Sequence, residues 1–258
     1  MMLFNRVVTA VFCFFVLLPI LWLVYAAFLP TQAVLMLDLT EIGFSLENFR
    51  ALAATPMWRV LAFSLLISTL TVLGQLVFGL MFAYALRTGL PLFALVLLAL
   101  ALPLELLMVP LYRQLQLLNL RDTIAALVIP FWASPLVIFL LTQSLRRLPW
   151  DMVEAARLDG AGELVIVWRI IAPLLRPELV AAAILGFAAH WNLVLYPRIM
   201  VERSSLMTVQ VFLADLLRNN PLDWGVLGAA ALITSLPLLV LYLVFEGRII
   251  QVFETSFK

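Results

Sequence analysis

Six long apolar runs determine what this chain can fold into. Each is close to the roughly 20 helical residues needed to cross the hydrocarbon core of a bilayer. Across the chain of 258 residues, 65% are hydrophobic and only 12% are charged, which is more apolar than a soluble core requires. The sequence therefore predicts an all-α polytopic membrane protein with six transmembrane helices, over residues 7–29, 60–86, 90–111, 124–145, 178–199 and 226–247.

The length of these runs also separates helices from barrel strands, which would appear as roughly ten-residue segments of alternating polarity. The first run is too long for a cleaved signal peptide, and no small-residue cleavage site follows it, so we expect it to remain a membrane helix. Because no internal repeat or linker is visible, residues 1–258 are predicted to form a single transmembrane domain. We expect the lipid bilayer to surround this domain, and we expect no nucleic acid partner.

Turn and cap residues predict where several helices end. Thr55 and Pro56 are typical of the N-cap and first position of a helix and precede the second run. Asp122 with Thr123 can cap the fourth run in the same way. Gly89 suits a left-handed C-terminal cap between the second and third runs.

A polar segment, residues 146–177, interrupts the membrane pattern between the fourth and fifth runs. Asp151 and Glu154 have the spacing of a capping box, in which each side chain accepts a hydrogen bond from the other's backbone N–H. Gly160 and Gly162 follow, and glycine tolerates positive φ at a sharp reversal. The segment therefore predicts a hairpin of two short helices joined by a glycine turn.

The two helices of this hairpin are predicted to lie along the membrane surface. The first spans about residues 151–158, and the second ends at Pro173, where the proline stops it. The second helix carries an apolar face made of Val165, Val167, Trp168 and Ile171. Spacing alone is equally compatible with an interfacial amphipathic element in which Glu154 does no more than cap its own helix.

The hairpin also carries a motif with a specific family resemblance. It resembles the EAA loop of permease subunits in binding-protein-dependent ATP-binding cassette importers, through Glu154, Ala155, Ala156, Asp159 and Gly160, followed by Ile171 and Pro173. The resemblance extends over nearly the whole chain and is then to the maltose-type, carbohydrate-importing permeases. Its further segments, in family order, are residues 45–49, 83–87, 107–112, 118–123, 135–139 and 148–149, then Trp191 with Asn192, and Pro237.

The resemblance implies that the hairpin docks into a surface groove of an ATPase subunit. In that interface Glu154 supplies a carboxylate for a basic partner residue. Ala155 and Ala156 add little bulk and permit a close contact, and Gly160 sets the turn. Asp159 completes this docking set, and the hairpin itself is supported by Asp151, Gly162 and Pro173.

The resemblance also implies the partners. These are two ATP-binding cassette ATPase subunits, a second permease subunit that by family habit is a different chain, and an extracytoplasmic solute-binding protein. This chain lacks a GxxxxGK[ST] loop, so we expect it to bind no cofactor and to be no enzyme; ATP and Mg belong to the partner subunits. Family members end in a glycine-rich basic tail, whereas this chain ends with residues 251–258, which gives no support for docking by the tail.

The distribution of arginine and lysine favours a cytoplasmic location for both termini. The resemblance implies the same orientation and the inner membrane of a prokaryotic cell. Within the importer class the solute is predicted to be a sugar or sugar-like compound. One alternative is a permease for a non-sugar solute such as a glycerol-phosphate compound. The other is a secondary carrier, for which paired inverted halves and coupled intramembrane charges would be expected and are not visible.

Few polar residues mark a translocation path. Glu105 lies in the third run between Pro103 and Pro110, where an ionisable group either faces a cavity or is a protonated structural residue nearer the outer interface. The trio His190, Trp191 and Asn192 lies near the middle of the fifth run and either packs within the bundle or contacts a sugar. His190 has no neighbouring cysteine or carboxylate, so no metal site is expected.

Overall fold

The computed structural model describes residues 2–29, 44–219 and 223–256, and all regular structure in these ranges is helical. The tail, residues 251–258, lies outside the residues whose side chains are described, so the prediction about its role in docking is not addressed. In chain order the helices are α1 (Met2–Ala27), α2 (Glu47–Ala53), α3 (Met57–Arg87), α4 (Phe93–Ala101), α5 (Leu104–Leu117), α6 (Ile124–Val128), α7 (Pro135–Arg147), α8 (Asp151–Leu158), α9 (Glu163–Leu174), α10 (Arg176–Trp191), α11 (Leu195–Met200), α12 (Val209–Asn219) and α13 (Trp224–Ser256). Short 3₁₀ turns follow α6 and precede α12.

Within the described ranges, three helical segments are long and apolar enough to cross a membrane: Met57–Arg87, Ile124–Arg147 and Trp224–Gly247. Two bent helix pairs raise the number to five if each pair is one span. These pairs are α4 with α5, which meet at 105°, and α9 with α10, which meet at 85°. The all-α fold with several candidate spans is therefore confirmed.

The predicted third and fifth runs are not continuous helices, which corrects the sequence interpretation. The third run breaks at Leu102, whose ψ of 122° is extended, directly before Pro103. A residue that precedes proline is disfavoured in the helical region, and this explains the break. The fifth run ends as a helix at Trp191, and the chain resumes helical geometry only in α11.

The predicted caps are mostly correct. Thr123 is the N-cap of α6, and its hydroxyl accepts the Ala126 N–H at 3.2 Å. Gly89 has φ of +124°, and the Leu90 N–H closes the end of α3 on the Ala85 carbonyl at 3.0 Å. At the start of α3 the Thr55 hydroxyl accepts the Met57 N–H at 3.4 Å, and the helix begins at Met57.

Asp122 does not cap α6, which corrects the second half of that prediction. Its φ is +57°, and its carboxylate turns instead to the loop after α11. Oδ1 accepts the backbone N–H groups of Glu202 and Arg203, each at 3.0 Å, and Oδ2 lies 2.6 Å from Arg203 Nε. The bond from the Arg203 backbone N–H is the main cause that holds the pKa of Asp122 below its ordinary value. Asp122 therefore ties two loops together.

The chain forms two compact units, each with its own packing. The first contains residues 1–62 and 208–237. In it the buried Asn48 side chain donates to the Ala27 and Leu29 carbonyls at 3.0 and 2.6 Å, which satisfies orphan acceptors at the end of α1. Gly228 of α13 lets that helix approach the α1 backbone closely, with a Cβ position 3.2 Å from the Leu23 carbonyl oxygen.

The second unit contains residues 63–207 and 238–258, and its buried side chains form two clusters. One cluster joins α3, α5, α6 and α11, where the Tyr196 hydroxyl donates to the Ala126 carbonyl at 2.8 Å. The other joins the ends of α3 and α7 to the hairpin formed by α8 and α9. The second cluster positions the candidate site.

Candidate functional site

The first hairpin helix, α8, has the predicted bounds but not the predicted cap. Trp150 is its N-cap and already has helical dihedral angles (φ −77°, ψ −19°), without a side-chain capping bond. Asp151 is therefore inside the helix and cannot form a capping box with Glu154. Both carboxylates are exposed in the first turn, where they complement the positive end of the helix dipole.

Gly160 makes the turn between the two hairpin helices. Its φ is +81°, and it lies at the position after the C-cap of a Schellman motif. The Ala161 N–H donates to the Ala156 carbonyl at 2.9 Å, and the Gly160 N–H donates to the Arg157 carbonyl at 3.0 Å. Gly162 is extended (φ −70°, ψ 154°), a conformation open to any residue, so the prediction that both glycines need positive φ is wrong for Gly162.

The second hairpin helix, α9, continues past Pro173, which corrects the prediction that this proline stops it. A π-helical stretch, Ile166–Ile171, precedes the proline, and the helix runs on to Leu174. The widened turn accommodates a proline that has no N–H to donate to the carbonyl four residues earlier. The chain bends only at Leu175, ahead of α10 and its early proline, Pro177.

Part of the apolar face of the hairpin is packed in protein. Val153 of α8 and Ile166 and Ile171 of α9 are buried against the ends of α3 and α7. The side chains of those helices that meet them are Leu80, Ala83, Tyr84, Leu141 and Leu145. Of the predicted apolar face, Val167 and Ile171 are buried, whereas Val165 and Trp168 are 43% and 42% exposed. The protein core therefore covers only part of that face, and the exposed part has the character of an interfacial element.

The opposite side of the hairpin is open. Glu154, Ala155, Asp159 and Gly160 are exposed there, and Ala156 is half-buried against the core. Two leucines that the sequence interpretation did not single out accompany them: Leu158 is 90% exposed and Leu164 is 63% exposed. These two leucines add apolar side chains to the exposed part of the hairpin. Leu158 and Leu164 could have been found in the sequence, because each is a leucine on the polar face of an amphipathic helix.

A polar triad, Tyr84, Arg157 and Glu163, connects the hairpin to α3. Arg157 Nε lies 3.0 Å from Glu163 Oε1, and Arg157 Nη2 lies 3.2 Å from Glu163 Oε2. The same Nη2 donates to the Tyr84 hydroxyl at 3.1 Å, and that hydroxyl donates to Glu163. The hydrogen bond from Tyr84, followed by those from Arg157, lowers the pKa of Glu163, and the bond to Glu163 raises the pKa of Arg157. Sequence reasoning missed this triad because Tyr84 lies 73 residues from Arg157.

Glu105 and the trio around His190 differ in their surroundings. Glu105 lies in the first turn of α5, just past the 105° bend, and its side chain is exposed. Trp191 is buried and stacks on Phe187 with ring centroids 5.4 Å apart. Asn192 is exposed, and its Nδ2 donates to the Ala188 carbonyl at 2.8 Å.

His190 lies in the last turn of α10, and it is only 6% exposed. Its Nε2 lies 3.0 Å from the Leu127 carbonyl oxygen, so this nitrogen carries the proton. Its Nδ1 lies 3.1 Å from Ser68 Oγ and accepts from that hydroxyl. Both ring nitrogens are thus used within the protein, which favours a packing role over solute contact.

His190 belongs to a longer buried polar row. Ser68, Thr71 and Gln75 recur at helical spacing on one face of α3 and are all buried. Thr71 Oγ1 lies 3.3 Å from His190 Nε2. Gln75 lies against Gly186, one turn before His190, where any Cβ would meet its side-chain oxygen. Small and polar residues of this kind let helices pack closely in membranes.

Residues 75–251 match the family described as binding-protein-dependent transport system inner membrane component. The arabinooligosaccharides transport system permease protein AraQ of Halalkalibacterium halodurans is 31% identical over 248 residues, which cover 92% of this chain and 89% of that protein. The trehalose transport system permease protein SugB of Mycobacterium tuberculosis is 30% identical over 246 residues, which cover 92% and 90%.

Two further similarities bear on solute class and on fold. The sn-glycerol-3-phosphate transport system permease protein UgpE of Yersinia pestis is 30% identical over 200 residues, which cover 75% of this chain and 71% of that protein. A chain in the crystal structure of a bacterial ABC transporter involved in the import of the acidic polysaccharide alginate superposes with a TM-score of 0.80. That chain is 20% identical, and the match covers 95% of both chains, so the two share a fold.

Proposed function

The chain belongs to the family of binding-protein-dependent transport system inner membrane components, and we propose that it forms the translocation path for a sugar or sugar-like solute. It is a permease subunit of an ATP-binding cassette importer, and the subunit itself is not an enzyme. The proposed solute class rests on how much of the chain is similar to two carbohydrate permeases. The similarity extends over 92% of this chain and about nine-tenths of each relative.

The exposed side of the hairpin is the proposed ATPase-docking surface, made of Glu154, Ala155, Ala156, Asp159 and Gly160. Its neighbours Leu158 and Leu164 supply apolar area that a partner groove would cover. Glu154 supplies a carboxylate that is free to meet a basic partner residue. Asp151, Gly162 and Pro173 belong to the supporting hairpin, whose buried side chains pack against the ends of α3 and α7.

The membrane arrangement follows from the same assignment. We infer six spans within one transmembrane permease domain, residues 1–258: α1, the three long helical segments, the bent pair of α4 and α5, and the predicted fifth run, residues 178–199, which α10 begins. Helix α9 belongs to the hairpin and not to this fifth span. At 1.5 Å per residue the 26 residues of α1 are about 39 Å long, enough to cross a bilayer. The hairpin segment 146–177 and both termini face the cytoplasm of a prokaryotic cell.

The proposed complex contains two ATPase subunits that carry ATP and Mg, a second permease subunit that is a different chain, and an extracytoplasmic solute-binding protein. Gentle solubilisation from the native membrane followed by mass spectrometry of the copurifying proteins tests this composition. Recovery of an ATPase, a second permease and a binding protein is the expected result. Recovery of this chain alone, from a preparation that keeps other complexes intact, would favour a secondary carrier instead.

The solute class is tested on the binding protein recovered with the complex. Its thermal unfolding is measured with arabinooligosaccharides, trehalose and sn-glycerol 3-phosphate, which are the solutes named for the relatives described above. Stabilisation by a sugar and not by the phosphate compound is expected, because a ligand that binds the native state raises the unfolding midpoint. Stabilisation by sn-glycerol 3-phosphate alone would support the glycerol-phosphate alternative, which the UgpE similarity keeps open.

A further inference from the structure

Helix α3 holds the hairpin helix α8 at both of its ends. Before α8, the Trp150 ring lies 6.0 Å from the Tyr84 ring, and the Arg87 guanidinium lies 4.8 Å from the Trp150 ring centroid. At the end of α8, Arg157 reaches the Tyr84 hydroxyl at 3.1 Å. A helix held at two points of one neighbouring helix cannot rotate independently of it.

The hydrogen bonds of the Tyr84, Arg157 and Glu163 triad form a closed triangle across three helices. Arg157 presents two nitrogens to the two oxygens of Glu163, a fork geometry that fixes orientation as well as distance. The Tyr84 hydroxyl donates to Glu163 and accepts from Arg157, so all three pairs within the triad are bonded. Tyr84 is only 7% exposed, so the fixed point of the triangle is anchored in the core.

The triad is not needed to close the turn at Gly160. The backbone bonds of the Schellman motif close that turn by themselves. Nor is the triad part of the proposed docking surface, whose residues are exposed except for the half-buried Ala156. What it adds is a directed connection between the two hairpin helices and the end of a membrane helix.

We propose that Tyr84, Arg157 and Glu163 are positioning residues that transmit displacement of the hairpin to α3. This inference rests on the proposed function, because the displacement comes from an ATPase bound to the docking surface. A hairpin without the triad still binds the ATPase through its open side. Its movement, however, is partly absorbed by rotation of α8 and α9 against α3, so less solute crosses for each ATP consumed.

The test uses the full complex reconstituted in lipid vesicles, with the binding protein and its solute. Tyr84→Phe removes one hydroxyl and keeps the ring that packs on Trp150; its matched control is Tyr242→Phe, at an exposed tyrosine of α13. Arg157→Gln removes the guanidinium; its matched control is Arg169→Gln, at an exposed arginine of the same hairpin. The measured quantities are the amount of copurified ATPase, the unfolding midpoint, and the ratio of solute imported to ATP hydrolysed.

Both triad variants are expected to keep the ATPase and the unfolding midpoint while the import ratio falls about five-fold or more, the lower end of typical site-to-site coupling. In the double variant, the ratio of solute imported to ATP hydrolysed is expected to be no lower than in the more affected single variant, because the residues act as one unit. Both controls are expected to keep the wild-type ratio.

Two results would overturn the inference alone. An unchanged import ratio in both variants would mean that the triad transmits nothing, and loss of the ATPase in Tyr84→Phe would place the triad in docking instead. If the wild-type complex itself holds no ATPase, the proposed function fails first, and the failure is visible before any variant is made.

Discussion

At the scale of single residues, Gly160 and Gly162 stand two positions apart and have different roles. Gly160 has φ of +81°, whereas Gly162 has φ of −70° in an extended conformation. No atom lies within 4 Å of the Cβ position of either residue, so space does not distinguish them. Only the backbone conformation does, because a side chain in the left-handed region costs roughly 1–2 kcal/mol.

The same substitution at the two positions tests this difference. Gly160→Ser is expected to lower the unfolding midpoint by about 2–4 °C, which corresponds to roughly 1 kcal/mol in a chain of this size. Gly162→Ser is expected to leave the midpoint unchanged or to raise it slightly, because Gly162 is the N-cap of α9 and serine is favoured there. Equal destabilisation by both changes would contradict the turn geometry.

The sequence was sufficient to predict several helix caps and bounds, but it was not sufficient to predict contacts between residues far apart in the chain. Thr123 as an N-cap, Gly89 as a C-terminal cap and the bounds of α8 all followed from residues within one helical turn. The prediction of a capping box by Asp151 and Glu154 was wrong because Trp150 is the N-cap, so Asp151 is already the first residue of the helix. The bonds of Tyr84 to Arg157 and Glu163 could not be foreseen, since they depend on how α3 packs against the hairpin.

At the scale of elements, the apolar runs predicted where helices occur but not where they bend. Pro19, Pro110 and Pro237 lie inside continuous helices, whereas the chain bends by 105° at Leu102 and Pro103. A proline removes one hydrogen bond, and neighbouring packing decides whether the helix continues. The periodicity of the sequence does not predict how the neighbouring helices pack around each proline.

Close packing between elements depends on small residues at particular points, and Gly74 of α3 is one of them. The indole of Trp132, which directly follows the 3₁₀ turn after α6, occupies the space where a Cβ on Gly74 would lie. That indole is stacked on Phe78, with ring centroids 5.3 Å apart, and its Nε1 donates to the Leu70 carbonyl at 3.3 Å. A rigid ring held on two sides cannot move aside easily.

Gly74→Ala is therefore expected to destabilise the protein by about 1–3 kcal/mol, as overpacking does. Adding Trp132→Leu to Gly74→Ala is expected to recover part of the loss, because the ring that clashes is gone. The control is Gly247→Ala in α13, where no atom lies within 4 Å and alanine is the better helix former. Thermal unfolding of the three variants measures the effect, and a neutral Gly74→Ala would contradict the contact.

At the scale of the whole molecule, the protein has several apolar helices and a structured hairpin that packs against the ends of α3 and α7. The fold matches an importer chain over 95% of both lengths, and the family match covers residues 75–251. The hairpin buries one face against α3 and α7 and leaves the other open. In the proposed function, the open face binds an ATPase, and the packed face passes the movement of that ATPase to the membrane helices.

The central claim is that ATP hydrolysed by a partner drives solute through this chain by way of the hairpin. The most direct measurement is ATP-dependent sugar accumulation in vesicles that contain the complete complex, for the wild type and for Glu154→Ala, with Glu246→Ala on α13 as control. Accumulation is expected in the wild type and the control and is expected to be lost in Glu154→Ala while the protein remains inserted. Full accumulation by Glu154→Ala would contradict the docking assignment, and accumulation by the wild type without ATP would contradict the importer mechanism itself.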